Sequence, residues 1–106
     1  MQASLTPQQL AEHVRTAMYA NDGASQALGM QVVAISPTSA TVTMAVRADM
    51  LNGHATCHGG FITTLADSAF AFACNAGNEM TVASGLSIDF VAPARLGDVL
   101  IATGVE

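Results

Sequence analysis

A chain of 106 residues, 51% hydrophobic and only 10% charged, suits one domain with one core and excludes a disordered segment. Its longest apolar run, Ala69 to Cys74, is far shorter than the ~20 residues that span a bilayer. A net charge of −5, with Arg15, Arg47 and Arg95 as the only fixed cations and no lysine, excludes a basic nucleic-acid-binding stripe.

The first element announces itself at Thr6-Pro7-Gln8-Gln9. Thr is an N-cap, Pro suits the first helical position, and Gln stands three residues after the cap. Leu10, Val14, Ala17 and Met18 recur at helical spacing and predict one apolar stripe. Asn21-Asp22-Gly23 stops that helix, and Ala24 to Leu28 adds a short helical turn closed by Gly29. Met30 to Ile35 reads as a strand, Ser36 to Ser39 as a turn, and Ala40 to Val46 as the hairpin partner. In that partner Val42, Met44 and Val46 alternate with Thr41, Thr43 and Ala45, which predicts one strongly apolar face. Arg47 to Cys57 is a loop. Its Asn52-Gly53 pair favours a tight turn, but the lack of a strand pattern after it points to a functional loop.

His58 or Gly59 opens a central helix that runs to about Asn75. Phe61, Ile62, Leu65, Ala66, Ala69, Phe70, Phe72, Ala73 and Cys74 make it apolar nearly all round, which predicts burial inside the domain. Thr81 to Phe90 reads as a long strand with a bend at Gly85. Pro93 to Asp98 is a turn carrying Arg95 and Gly97, and Val99 to Val105 begins a further strand. One long helix wrapped by antiparallel strands is an α+β arrangement. So much apolar surface with so few charges also points to cover by another subunit.

The chemistry concentrates in the stretch Asn52-Gly-His-Ala-Thr-Cys-His58-Gly59-Gly60 and the helix behind it. Gly59 and Gly60 leave the backbone uncrowded where the first-turn amides have no partner within the helix. With the helix dipole, those amides suit a carbonyl oxygen that gains negative charge during acyl transfer. A Gly-Gly pair also serves simply as a tight junction between loop and helix. Asp67 is a carboxylate within an apolar run, and such a group has either a structural partner or a chemical task. It stands eight residues after Gly59, about 12 Å along the helix axis. If both serve one reaction, Asp67 comes from a second copy of the chain, and two antiparallel central helices about a two-fold axis provide that.

Asn52 is suited to orient a water or hold a substrate carbonyl, and equally to be a turn residue. His58 suits a hydrogen-bond donor or a helix cap. Ser68 is a helper hydroxyl or an ordinary helix residue, and Phe61 and Phe70 line an acyl pocket or belong to the core. Cys57 beside His58 makes a poor nucleophile–base pair, because adjacent residues rarely present their side chains to each other. Two lone cysteines and an N-terminus without the basic and apolar regions of a signal peptide fit the cytoplasm.

Met50-Leu51-Asn52-Gly53-His54, Cys57-His58-Gly59-Gly60, Leu65-Ala66-Asp67-Ser68-Ala69-Phe70-Ala71 and Cys74-Asn75 together resemble the hot-dog-fold acyl-CoA thioesterases, in particular the phenylacetic-acid-degradation (PaaI) branch. Met18-Tyr19-Ala20-Asn21-Asp22, Ala27-Leu28-Gly29 and Ile88-Asp89-Phe90 with Pro93 and Gly97-Asp98 extend the resemblance over nearly the whole chain from Met18. It implies a curved antiparallel sheet around a central helix, paired into homodimers and often homotetramers. It implies catalytic roles for Asp67, Gly59, Asn52 and His58, with Gly60, Ser68, Phe61 and Phe70 as substrate-binding positions. Gly59 polarises the thioester carbonyl, and Asp67 of the partner copy is nucleophile or general base. The implied substrate is an acyl-CoA, phenylacetyl-CoA or a ring-hydroxylated derivative, with no metal or redox cofactor and no nucleic-acid or membrane partner. Another aryl or medium-chain acyl-CoA is the alternative substrate, and a non-catalytic acyl-CoA-binding module the alternative class. Members of that family continue for several strands beyond the position of Glu106. The resemblance therefore implies a single domain over residues 1–106 that is incomplete at its C-terminus, where further basic residues for the CoA phosphates are expected.

Overall fold

The computed structural model describes residues 4–106. Its elements in chain order are helix α1 (Pro7–Asn21), helix α2 (Gly23–Ala27), strand β1 (Gln31–Ser36), strand β2 (Ser39–Ala45), a single 3-10 turn (Ala48–Met50), helix α3 (Gly59–Asn75) and strand β3 (Val99–Val105).

Local chemistry sets the first half. The Thr6 hydroxyl accepts from the Gln9 amide at 3.1 Å while the Gln9 side chain accepts from the Thr6 amide at 2.9 Å, a reciprocal cap that starts α1. The stripe of α1 differs from the sequence expectation at one point. Ala11 is fully buried and Leu10, Val14 and Met18 half-buried, whereas Ala17 faces solvent. Asp22 ends α1 and caps α2, accepting the Ser25 amide at 2.9 Å. Gly29 takes φ +67°, the left-handed conformation that closes a helix and costs glycine nothing.

The three strands form one antiparallel sheet in the order β1-β2-β3. Val42 faces Val32 on one side and Ala102 on the other. Alternation along β2 buries Ala40, Val42 and Met44, with Val46 continuing the row beyond the strand. In β3, Leu100, Ala102 and Gly104 turn inward while Val99, Ile101 and Val105 are exposed. Helix α3 lies across the inner face of β2 and β3, and Leu65, Ala69, Phe72 and Ala73 join Met30, Val42, Met44 and Met50 in one core. At Gly104 the approach is so close that a Cβ would stand 2.6 Å from the carbonyl oxygen of Ala69.

Two expectations are corrected. Thr81 to Phe90 forms no strand: the segment is irregular, with Met80 97% and Val82 83% exposed. A strand exists through pairing, and among the described residues no neighbouring strand offers its N–H and C=O groups to this segment. Helix α3 is also not buried all round. Its sheet-facing side is covered, but Phe70 is 40% exposed and Asp67 faces solvent, because three strands enclose only one side of the helix. Among the described residues, no helix is long and apolar enough to cross a membrane.

Candidate active site

The site begins with a turn. The Asn52 carbonyl accepts the Ala55 amide at 3.1 Å, the Asn52 amide donates to the Thr56 carbonyl at 2.8 Å, and Leu51 pairs with Cys57 in an isolated bridge. Asn-Gly therefore does make a tight turn, completed by Ala55 at φ +59°. The Asn52 Oδ1 accepts from the amides of His54 and Thr56 at 2.9 and 3.2 Å and from the Thr56 hydroxyl at 3.2 Å. Its oxygen is fully occupied by the loop, so only its Nδ2 donor remains for a ligand.

The exit of that loop is pinned to both neighbours. The Cys57 amide donates to the Ala94 carbonyl at 2.8 Å and the His58 amide to the Met50 carbonyl at 2.7 Å. His58 is the N-cap of α3: its Nδ1 accepts the Gly60 amide at 2.9 Å. With Nδ1 as the acceptor, the neutral tautomer is the one that carries its proton on Nε2. The Phe61 ring stands edge-on to the imidazole, centroids 6.3 Å apart at 82°. The amides of Gly60 and Phe61 are thus taken by the side chain and carbonyl of His58. Among the described residues the Gly59 amide meets no acceptor. It is an orphan donor at the positive end of a 17-residue helix.

A cavity of about 420 Å³ opens here, lined by Asn52, Thr56, Gly59, Ile62 and the segment Phe90 to Pro93. Phe90 lies directly over Gly59: a Cβ on Gly59 would stand 2.8 Å from the ring's Cζ. Phe90 and Ile62 are wall residues that reading the sequence did not single out, although Phe90 ends the Ile88-Asp89-Phe90 stretch that carried part of the resemblance.

Asp67 lies elsewhere. It lines a separate cavity of about 360 Å³ with Thr63, Thr64 and residues Ala83 to Leu86. No hydrogen bond reaches its carboxylate among the described residues, and the side chain is exposed, which corrects the expectation of a buried carboxylate. Ser68 points the opposite way, into the core. Its hydroxyl and that of buried Ser25 are 2.9 Å apart, and Ser25 in turn donates to the Asp22 carboxylate at 2.6 Å. Phe70, on the open side of α3, lines neither cavity. Cys57 lines the Gly59 cavity, but its thiol contacts the His58 carbonyl at 3.7 Å, and burial pushes its pKa up, away from a reactive thiolate. Among the described residues no three His, Cys, Asp or Glu side chains cluster in a way that holds a metal ion.

A long helix laid on an antiparallel sheet, with an unpaired amide at its N-terminus beside a cleft, is the arrangement of a hot-dog domain. The model of the thioesterase superfamily matches residues 54–105 of the chain. The acyl-coenzyme A thioesterase PaaI of Escherichia coli (strain K12) is 51% identical over 87 residues, 82% of this chain. The solved structure of E. coli PaaI, from the phenylacetic acid degradation operon, superimposes with a TM-score of 0.90 at 46% identity, covering 92% of this chain and 71% of that one. A mutant of phenylacetic acid degradation protein PaaI from Thermus thermophilus gives a TM-score of 0.76 at 42% identity, covering 79% and 72%. The chain belongs to the thioesterase superfamily and has its hot-dog fold. It spans 62% of the length of the curated E. coli relative.

Proposed function

We propose that this chain is the catalytic domain of a cytoplasmic acyl-CoA thioesterase that hydrolyses phenylacetyl-CoA or a ring-hydroxylated derivative to the free acid and CoA. The observation that carries the proposal is the unpartnered Gly59 amide opening onto a cavity walled by Phe90 and Ile62. In water, a thioester carbonyl resists attack because charge on its oxygen is poorly stabilised. An amide held rigidly at a helix N-terminus stabilises that charge as it forms. His58 holds the first turn in place by capping Gly60, and Asn52, which lines the same cavity, keeps its Nδ2 free as a second donor. The aromatic wall suits an aryl acyl group. The PaaI-type relatives support this substrate class.

Asp67 serves the reaction from the partner copy of a homodimer with two shared sites, which themselves pair into a homotetramer. The ~12 Å rise between Gly59 and Asp67 and their placement on separate cavities support this arrangement. Two routes fit the carboxylate. As a general base it takes a proton from water, the hydroxide adds to the thioester carbon, and the C–S bond breaks to release CoA thiolate, which is then protonated. As a nucleophile it forms a mixed anhydride with loss of CoA, and water then cleaves the anhydride.

Release of free CoA thiol from phenylacetyl-CoA, with wild type and Asp67→Asn side by side, tests the proposal. The expected result is turnover in the wild type and a loss of at least ~10²-fold in the variant. Tight acyl-CoA binding without turnover by the wild type is the result that overturns it in favour of a binding module.

A further inference from the structure

The three arginines are placed very differently. Arg47 is held in a fork by Asp49, with contacts of 3.0 and 3.1 Å, and donates to the Ala27 carbonyl at 3.0 Å. Arg95 is exposed to water. Arg15 is half-buried between α1 and β1, and among the described residues none of its guanidinium donors meets an acceptor; its Nε is sealed from solvent as well. A partly buried cation without an acceptor is unfavourable, so such a group marks a place where an acceptor is missing.

Arg15 lines a cavity of about 570 Å³ with Thr16, Tyr19, Gln31 and Val32, a volume typical of small-molecule sites. Tyr19 is fixed there, since its hydroxyl donates to the Met30 carbonyl at 2.7 Å. Glu12, one turn earlier on α1, lines an adjoining cavity of about 270 Å³ together with Arg15 and Val32 and takes a hydrogen bond from Gln8; among the described residues it makes no ion pair with Arg15, and no carboxylate lines the larger cavity. No residue of this cleft lines the cavity at Gly59.

We propose that the α1–β1 cleft binds a small organic monocarboxylate, with its carboxylate on Arg15 and its apolar body against Tyr19 and Val32. The planar guanidinium fork matches a carboxylate and supplies one positive charge for one negative charge. A phosphate dianion fits less well, because a single cation leaves half its charge unbalanced and the Tyr19–Val32 wall does not replace its hydration. The site does not rest on the thioester reading and stands or falls separately from it.

Nitrogen-15 NMR of the complete protein reads this directly through the Arg15 Nε–H, the Val32 amide and the Gly59 amide. Phenylacetate is the probe, with acetate and inorganic phosphate as comparators. Saturable shifts at Arg15 and Val32 are expected with phenylacetate. Acetate, lacking the apolar body, is expected to bind roughly 10-fold more weakly. Arg15→Gln is expected to abolish the Val32 shift, and Arg15→Lys, which keeps the charge but loses the fork, to weaken binding about 10-fold. The Lys variant decides the matter should the Gln variant not fold. No saturable shift below ~10 mM, unchanged binding in the variants, or tighter binding of phosphate would each overturn the proposal. Shifts confined to Gly59 would overturn it too, while leaving the thioesterase proposal intact.

Discussion

The Nδ1 of His58 accepts the Gly60 amide at 2.9 Å, so one side chain caps the central helix while the Gly59 amide beside it stays unpaired. The cap and the proposed oxyanion donor are therefore one device, and substitutions can separate its two parts. Asn is as good an N-cap as any residue. His58→Asn is expected to keep Tm within about 2 °C of wild type, whereas His58→Ala, losing about 1 kcal/mol, falls by about 4–8 °C. Calorimetry with turnover measured in parallel checks this. A stable Asn variant with reduced turnover assigns the imidazole Nε2 a part in substrate handling beyond capping.

Gly59→Ala acts on the space in front of the amide. Its Cβ meets only the tip of the Phe90 ring, a half-exposed side chain that can swing away. Folding is expected to survive with Tm changed by less than about 4 °C. Turnover is expected to fall by about 10²-fold, as when an oxyanion donor is obstructed. Comparison of kcat with Tm for the purified variant decides whether the glycine serves the site or only the junction.

Gly104→Ala is expected to do the reverse. Its Cβ meets backbone, 2.6 Å from the Ala69 oxygen and 3.1 Å from the Phe70 nitrogen, and neither can move without shifting α3 off the sheet. Overpacking of this kind costs roughly 1–3 kcal/mol. Denaturant titration is expected to show that loss with an unchanged m-value, and an unaffected midpoint would disprove the close helix–sheet contact.

Ser68→Ala separates a structural hydroxyl from a substrate-binding one. The buried Ser25–Ser68 contact of 2.9 Å ties α2 to α3. Its loss leaves the Ser25 hydroxyl bonded to Asp22, so a cost of about 1 kcal/mol is expected, with turnover within about twofold of wild type. Collapse of turnover at unchanged stability would move Ser68 into the site.

The cysteines are expected to weaken the fold at alkaline pH. Burial raises the pKa of Cys57, and burial reinforced by the Glu106 charge raises that of Cys74. In the unfolded chain these thiols ionise at about pH 8.5. Because the folded values are higher, their contribution is intact below that pH and declines as the pH climbs through the unfolded and then the folded values. Unfolding midpoints measured from pH 7 to 10 should fall above about pH 8.5, and less steeply in a double Cys→Ala variant.

Much of the fold is written in short-range chemistry. The Thr6–Gln9 capping box, the Asp22 junction and the alternation of β2 each depend on residues a few positions apart, so propensity and spacing reveal them. The same holds for α3, whose opening at Gly59 and close near Asn75 follow from His58 and from Asn75-Ala76-Gly77. Thr81 to Phe90 illustrates the opposite case. Its pattern is that of a strand, but the segment has no partner in the described chain and remains unpaired.

For the site, the sequence by itself determined the residue types and their order: an Asn-Gly turn, a capping His, two glycines and a carboxylate two turns into an apolar helix. Only the tertiary structure decided which of them meet. It brought Asn52, Gly59 and Phe90 to one cavity, sent Ser68 to the core and left Asp67 exposed on another. The reason is that side-chain direction on a helix is set by what the helix packs against. That packing partner, here the sheet face of β2 and β3, lies too far along the chain for local spacing to report.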